Sequence, residues 1–374
     1  MACPPPPVIV APAAQQLDRA SVHRWDQLRQ IARRPLFSRL WNELSACAQV
    51  CQNAPYFSPT RKSVTVSMNA VKEDGLWSAD LSHLGILCVS GRDRRTFLQG
   101  QLTQDLDSLS PEKWIFSGWT SAKGRLLTIA QLFDWRDSIW MLMPADVIDD
   151  VIKRLRIYIL RSDVQLEACT VGIAGLGGTD AITTVQSIGI TLAGGPDASA
   201  STENLCVGRL AGDPSRLVAF GDLAPFTTPA PPKRDSNAWR LQNIRSGIPI
   251  IFAATSEAFL PQMVNLDLCG GVSFDKGCYT GQEIIARTQN LGRVKRRMFR
   301  FTYAAETELE PGQPIFSAGR PAGRVVESAS DDAGTELLAA VPIVSGDNNL
   351  ALDEAGTQQL NQAPMPYEVP GPPD

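Results

Sequence analysis

A chain of 374 residues with 44% hydrophobic and 20% charged residues can bury a sizeable core and has length for two or three domains. A net charge of −4 argues against sequence-independent nucleic-acid binding, which runs on phosphate neutralisation. Two histidines, His23 and His83, leave no credible serine–histidine triad, and eight cysteines without a C-x-x-C pair fit neither a zinc finger nor a disulfide framework. They read as free thiols of a reducing compartment. No apolar run approaches ~18 residues, so no membrane-spanning helix is expected.

In chain order, residues 1–65 carry eight Lys/Arg against three Asp/Glu, so the acidic excess lies in the rest. Pro4–Pro7 and the Arg-rich stretch through Arg34 and Arg39 have the composition of a transit peptide, or of an extension upstream of a start at Met68. Trp25, Leu28 and Ile31 allow one amphipathic helix there. Residues 1–67 are read as a disordered or peripheral extension. Leu84–Val89, closed by Ser90-Gly91, reads as a strand, and Asp93 opens a helical stretch with Phe97, Leu98, Leu102 and Leu106. Trp114–Thr120, Arg125–Phe133 and Ser138–Met143 read as an antiparallel meander with a turn at Asp134–Asp137. Val147, Val151, Leu155 and Ile159 mark a helix after Pro144. From Val164 to Gly221 short strands alternate with a helix over Asp180–Ile188. The glycines at 175, 177 and 178 lack dinucleotide-loop spacing and read as a turn. Leu223–Pro232 reads as a linker, and Ser236 as the cap of a helix over Asn237–Ser246 that carries Trp239, Arg240 and Arg245. Beyond Arg296, alternating strands and turns at Pro311-Gly312, Gly319–Pro321 and Asp347-Asn348 read as a small β-barrel or sandwich. The tail from Ala363 holds five prolines and is expected to be extended.

The most informative segment is Lys276-Gly277-Cys278-Tyr279-Thr280-Gly281-Gln282-Glu283. Thr280 with Glu283 three residues on is a capping-box pattern, and Ile284, Thr288 and Leu291 continue as a helical stripe stopped by Asn290 and Gly292. Cys278 would then sit two residues outside a helix N-terminus, beside the Lys276 ammonium, where both favour thiolate. Two plainer readings stand beside it: Cys278 as a small buried hydrophobe, and Glu283 as an i,i+4 partner of Arg287. Arg287, Arg293, Lys295, Arg296, Arg297 and Arg300 place six cations in fourteen residues without an acid. They are either a solvated strand face or a socket for an anionic tail or phosphate backbone.

These residues resemble the YgfZ family of folate-binding proteins, relatives of the glycine cleavage aminomethyltransferase (T-protein). The resemblance covers roughly residues 76–367. It rests on K-G-C-[FY]-x-G-Q-E, matched from Lys276 to Glu283, with support from Gly91 through Phe97–Gln101, Ala122–Arg125, Gly247-Ile248-Pro249, Pro261-Gln262 and Asn265-Leu266. It implies an α+β fold: two similar α/β-layered domains with antiparallel sheets around a central cavity, plus a C-terminal β-barrel. The corresponding boundaries are 68–165, 166–290 with the Lys276–Glu283 motif, 291–362 for the barrel and 363–374 for the Pro-rich tail. It further implies tetrahydrofolate as ligand and a role in iron–sulfur cluster assembly or repair in client enzymes, including tRNA-modifying ones. Iron–sulfur assembly or client proteins are then the partners, with neither membrane nor nucleic acid as a direct one. Cytoplasm is the expected location, the mitochondrial matrix the alternative.

On that resemblance, Lys276 and the Arg287–Arg300 cluster would hold the anionic end of a folate, Gln282 and Glu283 would order the loop, and Arg240 and Arg245 would approach from the preceding helix. Trp119, Trp239 or Tyr279 would supply a stacking face, Tyr279 being equally a core residue. Cys278, the candidate reactive group, would form a mixed disulfide or bind a cluster shared with a partner, since one thiolate cannot hold a stable cluster. The alternatives are a folate-dependent aminomethyltransferase, disfavoured because Ser121-Ala122-Lys123 offers no carboxylate, and a ligand-free scaffold for iron–sulfur assembly.

Overall fold

The computed structural model describes residues 75–210, 216–227, 230–290, 294–343 and 349–371. The expected 1–67 extension with its helix, Met68, Arg293 and the Asp347-Asn348 turn lie outside them. The first elements are β1 (Trp77–Asp80), β2 (Leu84–Ser90), α1 (Arg94–Gln99), β3 (Ile115–Thr120), β4 (Leu126–Trp135), β5 (Ser138–Pro144) and α2 (Ile148–Ile159). Then come β6 (Gln165–Cys169), β7 (Gly172–Gly177), α3 (Ala181–Ser187), β8 (Ser199–Ser201), β9 (Leu205–Arg209), β10 (Leu217–Gly221) and β11 (Lys233–Arg234). Helices α4 (Ser236–Arg245) and α5 (Gln282–Asn290) precede β12 (Arg296–Tyr303), β13 (Pro314–Ser317), β14 (Arg320–Asp331), β15 (Gly334–Pro342), β16 (Leu350–Ala351) and β17 (Asn361–Ala363).

Three sheets result. The first runs β3-β4-β5-β2-β6, the second β11-β1-β7-β10-β9-β8, and the third, β16-β13-β14-β15-β12-β17, curls into a half-barrel. Strand pairing is antiparallel except between β1 and β11. This is the mixed α/β architecture with antiparallel sheets and a C-terminal barrel-like sheet that the resemblance implies. Two strands cross the boundary drawn at residue 165. β6 completes the first sheet by pairing with β2, and β1 hydrogen-bonds to β7 in the second. Apolar alternation tells which face of a strand is buried, not which sheet it joins.

Local chemistry accounts for the meander. Arg136 and Asp137 both take positive φ, 53° and 54°, between the paired Trp135 and Ser138. That is the two-residue primed turn whose twist matches an antiparallel hairpin. α2 buries Val151, Ile152 and Leu155 with α1's Phe97 and Leu98 on one face of the first sheet. α3 buries Ala181 and Val185 on one face of the second. The opposite faces meet over an aromatic-rich core of Trp77, Trp114, Phe133, Trp135, Trp140, Phe220 and Trp239. Indole donors stitch the two sheets: Trp114 Nε1 donates to Arg209 O (2.6 Å) and Trp135 Nε1 to Thr202 O (2.9 Å). The glycine cluster belongs here. Gly175 and Gly177 lie inside β7, not in a turn, and a Cβ on them would come within 2.4 Å of the Trp239 ring and 2.1 Å of the Trp77 ring. Their spacing records where two indoles lie flat on a strand.

Candidate functional site

The Lys276–Glu283 loop is buried on one side and exposed on the other. Lys276 is 8% exposed, and its ammonium donates to three carbonyls of the 99–104 segment: Gln99 O (2.8 Å), Leu102 O (2.9 Å) and Gln104 O (2.8 Å). All three of its protons are thereby used. Burial pulls its pKa down to about 8, against the pull of Asp105 and Asp107 in the other direction. The ammonium also stands 5.3 Å from the Tyr279 ring centroid, and Tyr279 is core. The cation sequence reasoning set beside Cys278 is therefore engaged by backbone. Cys278 is exposed and makes no hydrogen bond among the described residues.

The capping box does not form. Helix α5 begins at Gln282, so Cys278 lies four residues ahead of its first residue. The Thr280 hydroxyl meets Gln101 Oε1 (3.3 Å), the Thr280 amide donates to Gly100 O, and Glu283 pairs with Arg287 at 2.7 Å on the exposed helix face. Gly281 takes φ +83°, and its Cα approaches the first sheet so closely that a Cβ would lie 2.5 Å from Ser121 O and 2.6 Å from Thr120 Oγ1. Thr120 Oγ1 in turn donates to Thr280 O (2.7 Å). The short motifs scattered along the sequence thus converge: Gln99–Gln101 and the turn after Thr120 receive the loop from one side. From the other, the buried Gln262 amide donates to Ile285 O (2.9 Å).

The remaining cations disperse. Arg240 donates to the fully buried Glu327 (3.1 Å), and Arg245 reaches Glu336 (2.8 Å) and Asp331 (3.2 Å). With Asn237, which bonds both the N–H and O of Ser330, they staple α4 to the β14–β15 hairpin. Arg297 is sunk against Asp267 (2.6 Å), and Arg300 lies 3.7 Å from Glu336. Of the six-cation run, Arg287 pairs within its own helix and Arg297 and Arg300 meet acids of other segments, while Lys295 and Arg296 have no carboxylate partner among the described residues. Side chains of a strand alternate faces, so adjacency in sequence could not collect them.

A hollow partly open to solvent lies between the first two sheets and α4. Its walls include Leu81, Phe116, Ile129, Leu142, Trp239 and Pro249, with Gln131 and Asn243 as its polar lining residues, the Asn243 Oδ1 already accepting from Arg216 Nη1 (3.0 Å). Aromatic and aliphatic walls with two amides suit a flat, amide-edged ring such as a pterin. None of the sequence-named site residues lines it; Trp239, named as a stacking aromatic, does. Sequence reasoning passed over Gln131, although a glutamine inside a Leu126–Phe133 run that is apolar apart from Thr128 was a usable signal. Ile248 and Pro249 entered it only as a family match. Around Arg240 of α4, burial and the Arg240 charge lower His83 to about pKa 4, and burial raises Glu327 to about 7.

Among relatives, the chain is similar to a protein named tRNA-modifying protein YgfZ from Vibrio vulnificus (strain CMCP6). The two are 28% identical over 325 residues, spanning 83% of this chain and 98% of the relative. A protein of the same name from Colwellia psychrerythraea (strain 34H / ATCC BAA-681) is 28% identical over 303 residues, 78% of this chain and 93% of that one. No family model matches the chain. Among solved structures, aminomethyltransferase T of the Bartonella henselae glycine cleavage system superposes with a TM-score of 0.64, at 14% identity. The superposition covers 78% of this chain and 85% of that one, and at such identity the likeness is one of fold. Sequence and fold together make this chain a relative of the YgfZ proteins, built on the architecture of aminomethyltransferase T.

Proposed function

We propose that the protein binds tetrahydrofolate in the hollow between its first two sheets and, in that state, supports the iron–sulfur enzymes that modify tRNA. The observation that carries the reading is the hollow itself: aromatic walls, two side-chain amides and no carboxylate among its lining residues. Bound there, tetrahydrofolate would supply one-carbon chemistry or a structural signal. The chain's own residues orient it, Trp239 and Phe116 against the ring and Gln131 and Asn243 at its donor–acceptor edge. A transferase reading is less well supported, because a carboxylate near the one-carbon position is what that chemistry uses. Titrating the full-length protein with tetrahydrofolate, read by quenching of the hollow's Trp239, is expected to give one equivalent per chain. Ile248→Trp, which plugs the half-buried rim, should weaken it at least tenfold while the protein still melts cooperatively. Absence of binding, or binding indifferent to the plug, removes the reading.

Cys278 is the chemical end of the same proposal. Its exposure leaves the sulfur free to meet a partner, and a cluster passing through it would be cargo shared with that partner's ligands. Among the described residues no group of three or more His, Cys, Asp or Glu gathers that could complete such a site within the chain. Alkylation of the folded protein tests it. Cys278 is expected to react well ahead of the buried Cys206, and a Cys278 that reacts only on unfolding would leave the sulfur without a partner-facing role.

A further inference from the structure

We propose that a second hollow, between the half-barrel and the 258–263 segment, is a binding site for a small, multiply charged oxyanion held by Arg125, Arg296 and Arg324. It is partly open to solvent, with Phe259, Met263 and Ala340 among its other walls. The sheet register builds it. Arg324 pairs with Ala340, and Arg296 with Pro342, two residues further along β15. Opposed residues of an antiparallel pair share a face, as do residues two apart. Both guanidinium stems therefore rise from the face that carries the Ala340 methyl, and the volume a larger residue would fill at 340 is the floor of the hollow. Arg125 reaches it from the other side, at the end of the turn closed by the Ser121 N–H to Arg125 O bond (2.8 Å).

Charge is what identifies the occupant. Arg125 is anchored through one nitrogen on Ala258 O (2.8 Å) and Arg324 through one on Gly312 O (3.0 Å). Their other side-chain donors, and those of the Arg296 guanidinium, have no partner among the described residues. None of the three meets a carboxylate there, whereas Arg92, Arg95, Arg154, Arg245 and Arg297 each do. Three like charges facing one concavity repel one another, and an anion reverses the sign of that energy. Guanidinium forks match phosphate and carboxylate oxygens two at a time, so the ligand carries at least two such charges. Phe259 and Met263 offer its uncharged part an apolar wall. A phosphate ester and an oligocarboxylate share this chemistry. The site shares no lining residue with the hollow between the sheets, and the inference stands independently of folate binding.

Calorimetry on the full chain at low ionic strength, with inorganic tripolyphosphate and with tri-γ-glutamate as probes, tests it. One equivalent of at least one probe should bind, more weakly as salt rises. Arg296→Ala and Arg324→Ala should each weaken binding at least tenfold and Arg296→Lys by less, while Arg156→Ala on the exposed face of α2 changes nothing. Preference for tripolyphosphate assigns a phosphate ester, preference for triglutamate an oligocarboxylate, and either supports the site. If neither probe binds, or the double alanine variant, still melting as wild type, binds equally well, the site is overturned.

Discussion

At the scale of single residues, the Lys276–Glu283 segment divides into what holds and what is left free. Lys276 is a buried ammonium chelated by three carbonyls, and its removal strands Gln99 O, Leu102 O and Gln104 O without a donor. Lys276→Met should therefore cost about 2–4 kcal/mol, measured by urea unfolding. An unchanged midpoint would mean that water replaces the ammonium. Gly281 combines a left-handed φ of +83° with contact distances below 3 Å for any Cβ. Gly281→Ala is expected to cost about 2–3 kcal/mol and to slow neither alkylation of Cys278 nor its access to solvent. Both effects on the same loop distinguish its docking function from its thiol. That Lys, Gly and Thr here serve docking could not be read from the motif, because their partners lie some 160 to 180 residues away in the chain.

At the scale of elements, α4 and the β14–β15 hairpin are joined by ion pairs whose cost depends on pH. Glu327 has no exposed surface, and burial outweighs the pull of Arg240 and Arg216 to hold its carboxyl at about 7, above the ordinary 4.5. The native state then binds more protons than the unfolded one between pH 4.5 and 7, so this group lowers stability as pH rises through that window. His83 acts in the opposite sense. Its pKa of about 4 lies below the ordinary 6.5, so its contribution is complete above pH 6.5 and is lost as pH falls toward 4. The two slopes oppose each other between pH 4.5 and 6.5, and wild-type data alone hide them. Unfolding free energies across pH 4–8 for wild type and Glu327→Gln should diverge between 4.5 and 7, the variant lacking the downward slope. Parallel curves would place the carboxyl in contact with water. The helix itself was legible from its spacing, but its cap was not: Asp235, not Ser236, accepts from the Ala238 N–H (2.8 Å). Two adjacent capping residues look alike in sequence, and only the backbone geometry at 235, extended with ψ 167°, selects one.

At the scale of the whole molecule, the two sheets and the hollow between them depend on indoles seated on glycine. Gly175→Ala puts a methyl within 2.4 Å of the Trp239 ring, so it should cost about 1–3 kcal/mol by overpacking and shift a wall of the hollow. Tetrahydrofolate affinity and thermal midpoint should fall together. A loss of stability with affinity intact would detach Trp239 from the ligand. Sequence alone determined the order of strands and helices from Leu84 to Ile159, the barrel-like C-terminal sheet and the kinship of the chain. These follow from short-range periodicity, turn chemistry and one eight-residue signature. Sequence did not determine that α1 stops at Gln99 short of Leu102 and Leu106, nor that β4 runs on through Trp135 to leave a two-residue turn. Tertiary structure decided the rest: that β1 joins the second sheet, that Lys276 is spent on backbone, that Arg297 and Arg300 of the cation run meet Asp267 and Glu336, and that Gln131, Trp239 and Asn243 share a hollow. Each of these is a pairing between residues far apart in the chain, set by strand register and by which buried charge finds a counter-charge, and no local pattern encodes it.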